Sequence, residues 1–399
     1  MLTYREALDQ ILVLPLEARP SRAPLLGCTN RILCEPVRSP WPLPRFDQSA
    51  MDGFALARCE GASPYTLVGE SAAGRPFDGA LSAGQAIRIS TGAQLPTGAD
   101  TVVPREVAEI TADGKLLPKE LPTSGHYIRR RGEDVGEGQE LFATGTRLDS
   151  TKVAFLSMFN LANLPVWDRP RVAILGSGNE VKLLGEPLGV SDIVGSNLYY
   201  LAGELASFGC ETRMFGVARD KAESFRDLLA ESLAWADLVI STAGVSVGDH
   251  DVVGHALEML GAQVHFWRVA VRPGKPMLVA TVHGKMFFGL PGNPVSTVCN
   301  TEIFVKPFLR RHLRIEPAER PLELMRLASD CPRDRHRLFF VNAQCRLLDG
   351  TWTVEPLAGQ SSGNLYNAAR SNGLIVLEPG VGPVPRGETV KVLRVRTGE

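Results

Sequence analysis

Nowhere in this chain do apolar residues run on long enough to span a bilayer, so no transmembrane helix is expected. Net charge is nearly absent as well: 43 Lys and Arg against 44 Asp and Glu leave −1 at pH 7. That balance supplies no polybasic reason to expect nucleic acid or an anionic membrane as partner. The first residues, Met1-Leu2-Thr3-Tyr4-Arg5-Glu6, carry an acid and no apolar h-region, which argues against a signal peptide. The seven cysteines, Cys28, Cys34, Cys59, Cys210, Cys299, Cys331 and Cys345, include no Cys-x-x-Cys pair. An odd, scattered set speaks against a disulfide frame or zinc site and for reduced thiols in a cytoplasmic protein. Low-complexity tracts and sequence repeats are missing too.

What is present suffices for several domains, since 399 residues of ordinary apolar content exceed one typical core. Residues 2–14 predict an amphipathic helix with Leu2, Ala7, Leu8, Ile11 and Leu12 on one face and Thr3 as N-cap. The prolines at 36, 40, 42 and 44 read as an extended connector. Residues 46–137 predict an all-β module, with runs Tyr65–Val68, Ala86–Ile89 and Thr101–Val103 between Gly- and Pro-rich turns. Helical spacing returns over 149–162. The expectation is a β module inserted into an elongated helical domain made of 1–45 and 138–168. From Arg171 strands alternate with helices: Val172–Leu175, Thr212–Val217, Asp237–Ile240 and Met286–Leu290 against 195–208, 221–235, 252–260 and 294–313. That alternation predicts an α/β domain over 169–317, a parallel sheet covered on both faces. Residues 318–399 predict a small closed or sandwiched β domain.

Two short segments suit one anionic ligand. Ser241-Thr242-Ala243-Gly244-Val245-Ser246-Val247-Gly248-Asp249-His250-Asp251 and Pro291-Gly292-Asn293-Pro294-Val295-Ser296 each follow an apolar run and lead into a helix. Glycines let backbone N–H groups approach a ligand, and a helix N-terminus favours phosphate. In such sheets ligands bind beyond the carboxyl ends of the strands, where both turns fall. Asp251 offers a metal ligand or base. Gly244-Val245-Ser246-Val247-Gly248 also fits the nucleophile elbow of a serine hydrolase, but no later histidine sits in an evident strand-end loop after a suitable acid. Gly176-Ser177-Gly178-Asn179-Glu180 reads equally as a tight strand exit or a ligand loop. Arg129-Arg130-Arg131-Gly132-Glu133-Asp134 reads as a solvated charged loop, or as an edge presenting Asp134 to a metal and an arginine to phosphate. Arg268 and Arg272 would share a strand face if the segment stays extended, with Lys275 following in a Pro-Gly turn, an arrangement suited to an oxyanion. Asp52 lies in an Asp-Gly turn that a plain β-turn explains as well as substrate contact does.

Six segments in order, FDQSAMDG (46–53), RISTGAQLP (88–96), RRRGED (129–134), STAGVSVGDHD (241–251), RPGKP (272–276) and GLPGNPVS (289–296), resemble the molybdopterin molybdenumtransferases, to which the gephyrin C-terminal domain is related. The resemblance covers nearly the whole chain. It implies an elongated helical domain that dimerises, an inserted β domain (46–137), a molybdopterin-binding α/β domain (169–317) and a C-terminal β-barrel (318–399). It also implies a homodimer with an intersubunit active site. The implied reaction converts adenylylated molybdopterin and molybdate to molybdenum cofactor, releasing AMP with the help of Mg²⁺. By motif, Asp52, Asp134, Glu180, Asp220, Asp251 and Lys275 fall at catalytic positions, Asp220 and Asp251 as Mg²⁺ ligands. Thr91, Gly244, Ser246, Gly248, Pro291, Gly292, Asn293, Pro294, Arg268, Arg272 and Ser362 fall at substrate-binding positions. A molybdopterin adenylyltransferase and molybdoenzymes are the implied protein partners.

The chain also departs from that pattern. Asn179 stands where relatives often carry Asp, Ala243 where glycine is common, and Arg268 and Arg272 where lysine is usual. Asn342 replaces an arginine of the family's oxyanion pocket, with Arg337 or Arg370 as candidate substitutes. These departures leave open a divergent paralogue that binds molybdopterin without turning it over, and they leave molybdate against tungstate unsettled.

Overall fold

Strands buried on both faces form the centre of the molecule. The computed structural model describes residues 1–59, 61, 63–244 and 252–395. Its chain divides into two compact units. One comprises Met1–Glu35, Thr144–Val153 and Asn163–Glu399, the other Pro36–Ala143 and Ala154–Ala162.

At the centre of the first unit lies a six-stranded sheet: β1 (Arg171–Ser177), β2 (Glu211–Ala218), β3 (Leu238–Thr242), β4 (Gln263–Trp267), β5 (Leu278–Val282) and β6 (Lys285–Leu290), in the order β2-β1-β3-β6-β5-β4. Alternate residues of each strand face opposite ways, so two cores form. Val172, Ile174, Leu238, Ile240, Met286 and Phe288 pack with Leu198, Leu201 and Leu205 of helix α1 (Ser196–Phe208). Ala173, Leu175, Val239 and Phe287 pack with Phe225, Leu229 and Leu233 of α2 (Ala222–Trp235) and with Val253 and Ala256 of α3 (Val252–Met259). Helix α1 ends where expected, at Gly209 with φ +111°. The N-terminal helix Tyr4–Val13 starts from a capping box between Thr3 and Glu6 and adds Ala7, Leu8 and Ile11 to the first core.

The sheet is not parallel throughout. β2, β1, β3 and β6 run parallel, while β6 to β5 and β5 to β4 are antiparallel. The cause is the two-residue turn His283-Gly284, both residues at positive φ (48° and 77°), which closes β5 and β6 into a hairpin. The long helix after β6 also departs from uniformity. α4 (Pro294–Asn300) passes through a π turn at Thr301–Val305 into α5 (Lys306–His312). Pro307 has no N–H to return to the preceding turn, and the ladder widens just before it.

A closed barrel of β7 (Glu323–Leu327), β8 (Leu338–Leu348), β9 (Thr351–Pro356), β10 (Gly373–Leu377) and β11 (Thr389–Arg394) follows, sealed by the pairing of β8 with β10. The Asp349-Gly350 turn, both at positive φ, joins β8 to β9. A short helix, α6 (Leu365–Arg370), interrupts the strands that the sequence had suggested. Val271 and Arg272 add a parallel rung beside Leu338 and Phe339, fastening the barrel to the α/β domain.

The regular structure of the second unit is mostly short strands joined by turns. A four-stranded sheet orders Thr66–Ser71, Gln85–Ile89, Gly53–Leu56 and Thr101–Pro104. Gly53 is obligatory there, because a Cβ would lie 2.0 Å from the Val103 carbonyl oxygen.

Candidate active site

The chain leaves β1, moves outward to β2, then returns to the other side of β1 to form β3. That reversal opens a crevice beyond the carboxyl ends of β1 and β3. A cleft of about 480 Å³ occupies it. Glu180 comes from the loop after β1, Thr242, Ala243 and Gly244 from the end of β3, and Pro291, Gly292, Asn293 and Pro294 from the turn after β6. Both glycine turns expected from sequence therefore open into one space. Gly244 stands at φ +71°, and a Cβ there would meet Val253 Cγ2 at 2.7 Å and Ser177 Oγ at 3.2 Å. The buried Ser177 hydroxyl has no hydrogen-bond partner among the described residues and lines the cleft.

The turns are held from behind by side chains with no motif of their own. Asn197 in the first turn of α1 donates to the Gly292 carbonyl at 2.8 Å. Thr297 Oγ1 donates to the Pro291 carbonyl at 2.7 Å. Asn300, fully buried, donates to the Gly274 carbonyl at 3.1 Å and so fixes the turn carrying Lys275. Pro276 of that turn lines the cleft, and Lys275 itself is exposed. The Ser362 carbonyl, from the barrel, accepts the Val295 N–H at the start of α4, at 3.0 Å.

Asp220, after β2, meets the β1 loop reciprocally: Asn179 N–H donates to Asp220 Oδ2 at 3.2 Å, and Asp220 N–H donates to Asn179 Oδ1 at 3.3 Å. The expected pairing of Arg268 and Arg272 on one strand face does not occur. β4 ends at Trp267, and Arg268 turns to φ +77°. Arg272 stacks 4.5 Å over Phe339 and pairs with Asp334 at 3.3 Å, in common with Arg337 at 3.0 Å. Ser246, Gly248 and Asp251 lie outside the described residues.

In the second unit three motifs converge. Gln48–Ser49 pairs with Ile128–Arg129. Asp52 Oδ1 accepts the Thr91 N–H at 2.6 Å and the Thr91 hydroxyl at 2.9 Å, and these bonds hold its carboxyl below the usual carboxylate range. Asp134 receives Arg129 at 2.5 Å. Asp47 accepts from Arg130 and from the Arg131 N–H.

Family models match nearly the whole chain: "MoeA N-terminal region (domain I and II)" at residues 2–159, "Probable molybdopterin binding domain" at 173–311 and "MoeA C-terminal region (domain IV)" at 325–395. A molybdopterin molybdenumtransferase of Nostoc sp. is 34% identical over 383 residues, covering 93% of this chain and 88% of the relative. That of Haemophilus influenzae is 33% identical, with 98% of each covered. The chain belongs to the molybdopterin molybdenumtransferase family. Two crystal structures of the molybdopterin biosynthesis MoeA protein from Pyrococcus horikoshii match it at TM-scores of 0.85 and 0.81, with 28% and 25% identity, 98% and 99% of this chain and 98% and 100% of theirs covered.

Within the molybdenumtransferase pattern, the departures take physical form. Ala243 sits at φ +69°, a backbone suited to glycine. Asn179 donates its backbone N–H to the Asp220 carboxylate, and its side-chain Oδ1 accepts the Asp220 N–H. Asn342 is buried in β8, its N–H and C=O both bonded by the Gln360 side chain at 3.0 and 2.9 Å. Of the candidate substitutes, Arg337 is engaged by Asp334, and Arg370 lies 5.4 Å over the exposed Tyr366 ring.

Proposed function

We propose that this molybdenumtransferase acts as a molybdenum insertase, converting adenylylated molybdopterin and molybdate to molybdenum cofactor with release of AMP. The observation carrying this reading is the convergence of three strand-end loops on one cleft at the topological switch point. Backbone amides of the Gly244 and Gly292 turns receive the pterin phosphate, and Asn197 and Thr297 keep the second turn in place. Lys275 supplies positive charge for the dianionic metal oxyanion, on a turn held by Asn300. The dithiolene sulfurs that accept the metal belong to the substrate, consistent with the burial of five of the seven cysteines.

Asp220 keeps Oδ1 without a partner among the described residues, a carboxylate oxygen of the kind Mg²⁺ prefers beside phosphate. With Asp251 it would hold the ion, which when bound neutralises charge at the adenylyl phosphate. We further propose a cytoplasmic homodimer in which Asp52, Thr91 and Asp134 of one subunit complete the cleft of the other. The deciding measurement is AMP release from adenylylated molybdopterin with Mg²⁺, with and without molybdate. Molybdate-dependent release is expected; substrate binding with no release would leave a scaffold.

A further inference from the structure

A second recess lies at the other end of the central sheet from the cleft, at the amino ends of β1 and β2. It measures about 200 Å³ and is walled by Arg19, Arg31, Asp168, Arg169, Arg171 and Glu211. β1 separates the two spaces: Arg171 begins the strand at the recess, and Ser177 ends it at the cleft. At about 3.3 Å per residue that separation is roughly 20 Å. The sequence Arg169-Pro170-Arg171 sets two of the arginines side by side. Proline holds the residue before it out of the helical region, and residues two apart in an extended chain share a face. Their backbone is fixed on both sides, because the Pro170 carbonyl accepts the Glu211 N–H at 3.0 Å and Asp237 Oδ2 accepts the Arg171 N–H at 2.9 Å. Their guanidinium groups are not. Arg171 stands 3.8 Å from Glu211, too far for a hydrogen bond, and the Arg169 side chain has no ion pair or hydrogen bond among the described residues. Asp237 also pairs with Arg19. The Arg31 side chain, 14% exposed, donates to the Trp167 carbonyl at 2.9 Å and to Asp168 Oδ1 at 3.2 Å, while its Nε is buried with no partner among the described residues.

We propose that this recess binds a small hydroxylated phosphate monoester. Asp168, Glu211 and Asp237 answer three of the four arginines, and the fourth charge is left to a ligand. A guanidinium presents paired N–H donors that match two phosphate oxygens, and Arg169 and Arg171 both hold such donors without a protein acceptor among the described residues. The space exceeds what one phosphate group needs. Asp168 Oδ2 and the Glu211 carboxylate accept no hydrogen bond among the described residues, so they stand ready for hydroxyl groups on the rest of the ligand. The proposal is independent of the insertase reading, since no wall residue of the recess belongs to the cleft.

The test is calorimetric titration of the full chain with glycerol 3-phosphate, inorganic phosphate and glycerol, run beside AMP release from adenylylated molybdopterin. Glycerol 3-phosphate is expected to bind more tightly than phosphate, and glycerol alone not to bind. R169A and R171A remove exposed side chains that make no hydrogen bond among the described residues, so both variants should fold. Each should weaken glycerol 3-phosphate about tenfold, the lower end for a hydrogen bond to a charged group, and leave AMP release unchanged. Affinity unchanged by both substitutions would put the phosphate on the glycine turns of the cleft and overturn the recess. Inorganic phosphate binding as tightly as glycerol 3-phosphate would overturn the hydroxylated ligand. A hexaglutamate peptide that binds more tightly than glycerol 3-phosphate, and loses that affinity in both variants, would overturn the small ligand in favour of an acidic protein segment.

Discussion

Ala243 and Asp334 show how much a single side chain decides here. Ala243 holds a left-handed backbone between β3 and Gly244, where an L side chain crowds its own carbonyl. A243G should therefore stabilise the protein by about 1 kcal/mol, read as a higher denaturant midpoint at unchanged slope. Asp334 is 8% exposed between Arg272 and Arg337. Burial alone would push its carboxyl up; the N–H groups of His336 and Arg337 and the Arg337 guanidinium outweigh burial and hold it down at about 2. A depressed acid contributes stability above its unfolded value, lost as pH falls through the folded one. D334N should thus cost about 2 kcal/mol at pH 7, with the difference from wild type shrinking as pH falls from 4 toward 2. Denaturation curves at pH 7 and pH 3 check this, and a constant difference would count against it.

At the scale of elements, α4 ties the cleft together. Its N-terminal N–H takes the barrel's Ser362 carbonyl, Thr297 holds the Pro291 turn, and Asn300 holds the Gly274 turn. A Cβ on Gly274 would fall 2.1 Å from Asn300 Oδ1, so the two residues fit only as they stand. N300A leaves a buried carbonyl without its donor, a loss of about 1–3 kcal/mol. Its functional effect should be selective: KM for molybdate rises more than affinity for the pterin, because the released turn carries Lys275. Equal effects on both ligands would reduce Asn300 to general packing. None of this was legible in the sequence. The glycine turns were, because a strand, small residues and a helix in succession leave a compositional mark. Asn197, Thr297 and Asn300 leave none: each is one polar residue in a helix, and its carbonyl partner lies on a remote loop. The Arg268–Arg272 expectation failed for a related reason, since a left-handed turn at an arginine has no signature in composition. The β5–β6 hairpin was likewise hidden in His283-Gly284, whose first residue is not a usual hairpin marker.

At the scale of the molecule, the candidate residues divide between two units of one chain. Glu180, Asp220 and Lys275 lie in the unit holding the α/β domain, and Asp52, Thr91 and Asp134 in the other. Order along the sequence brought six motifs to notice, yet sequence order carries no information about which subunit's motifs meet. Complementation decides it. If the site is intersubunit, a D134A subunit supplies a sound α/β domain and a K275A subunit a sound second unit. Each variant alone forms only defective sites. Random reassortment makes about half the dimers mixed, each with one sound site of two, so about a quarter of full AMP release should return on mixing. Subunits that each complete their own site would recover nothing, because every site in every dimer would then carry one of the two substitutions.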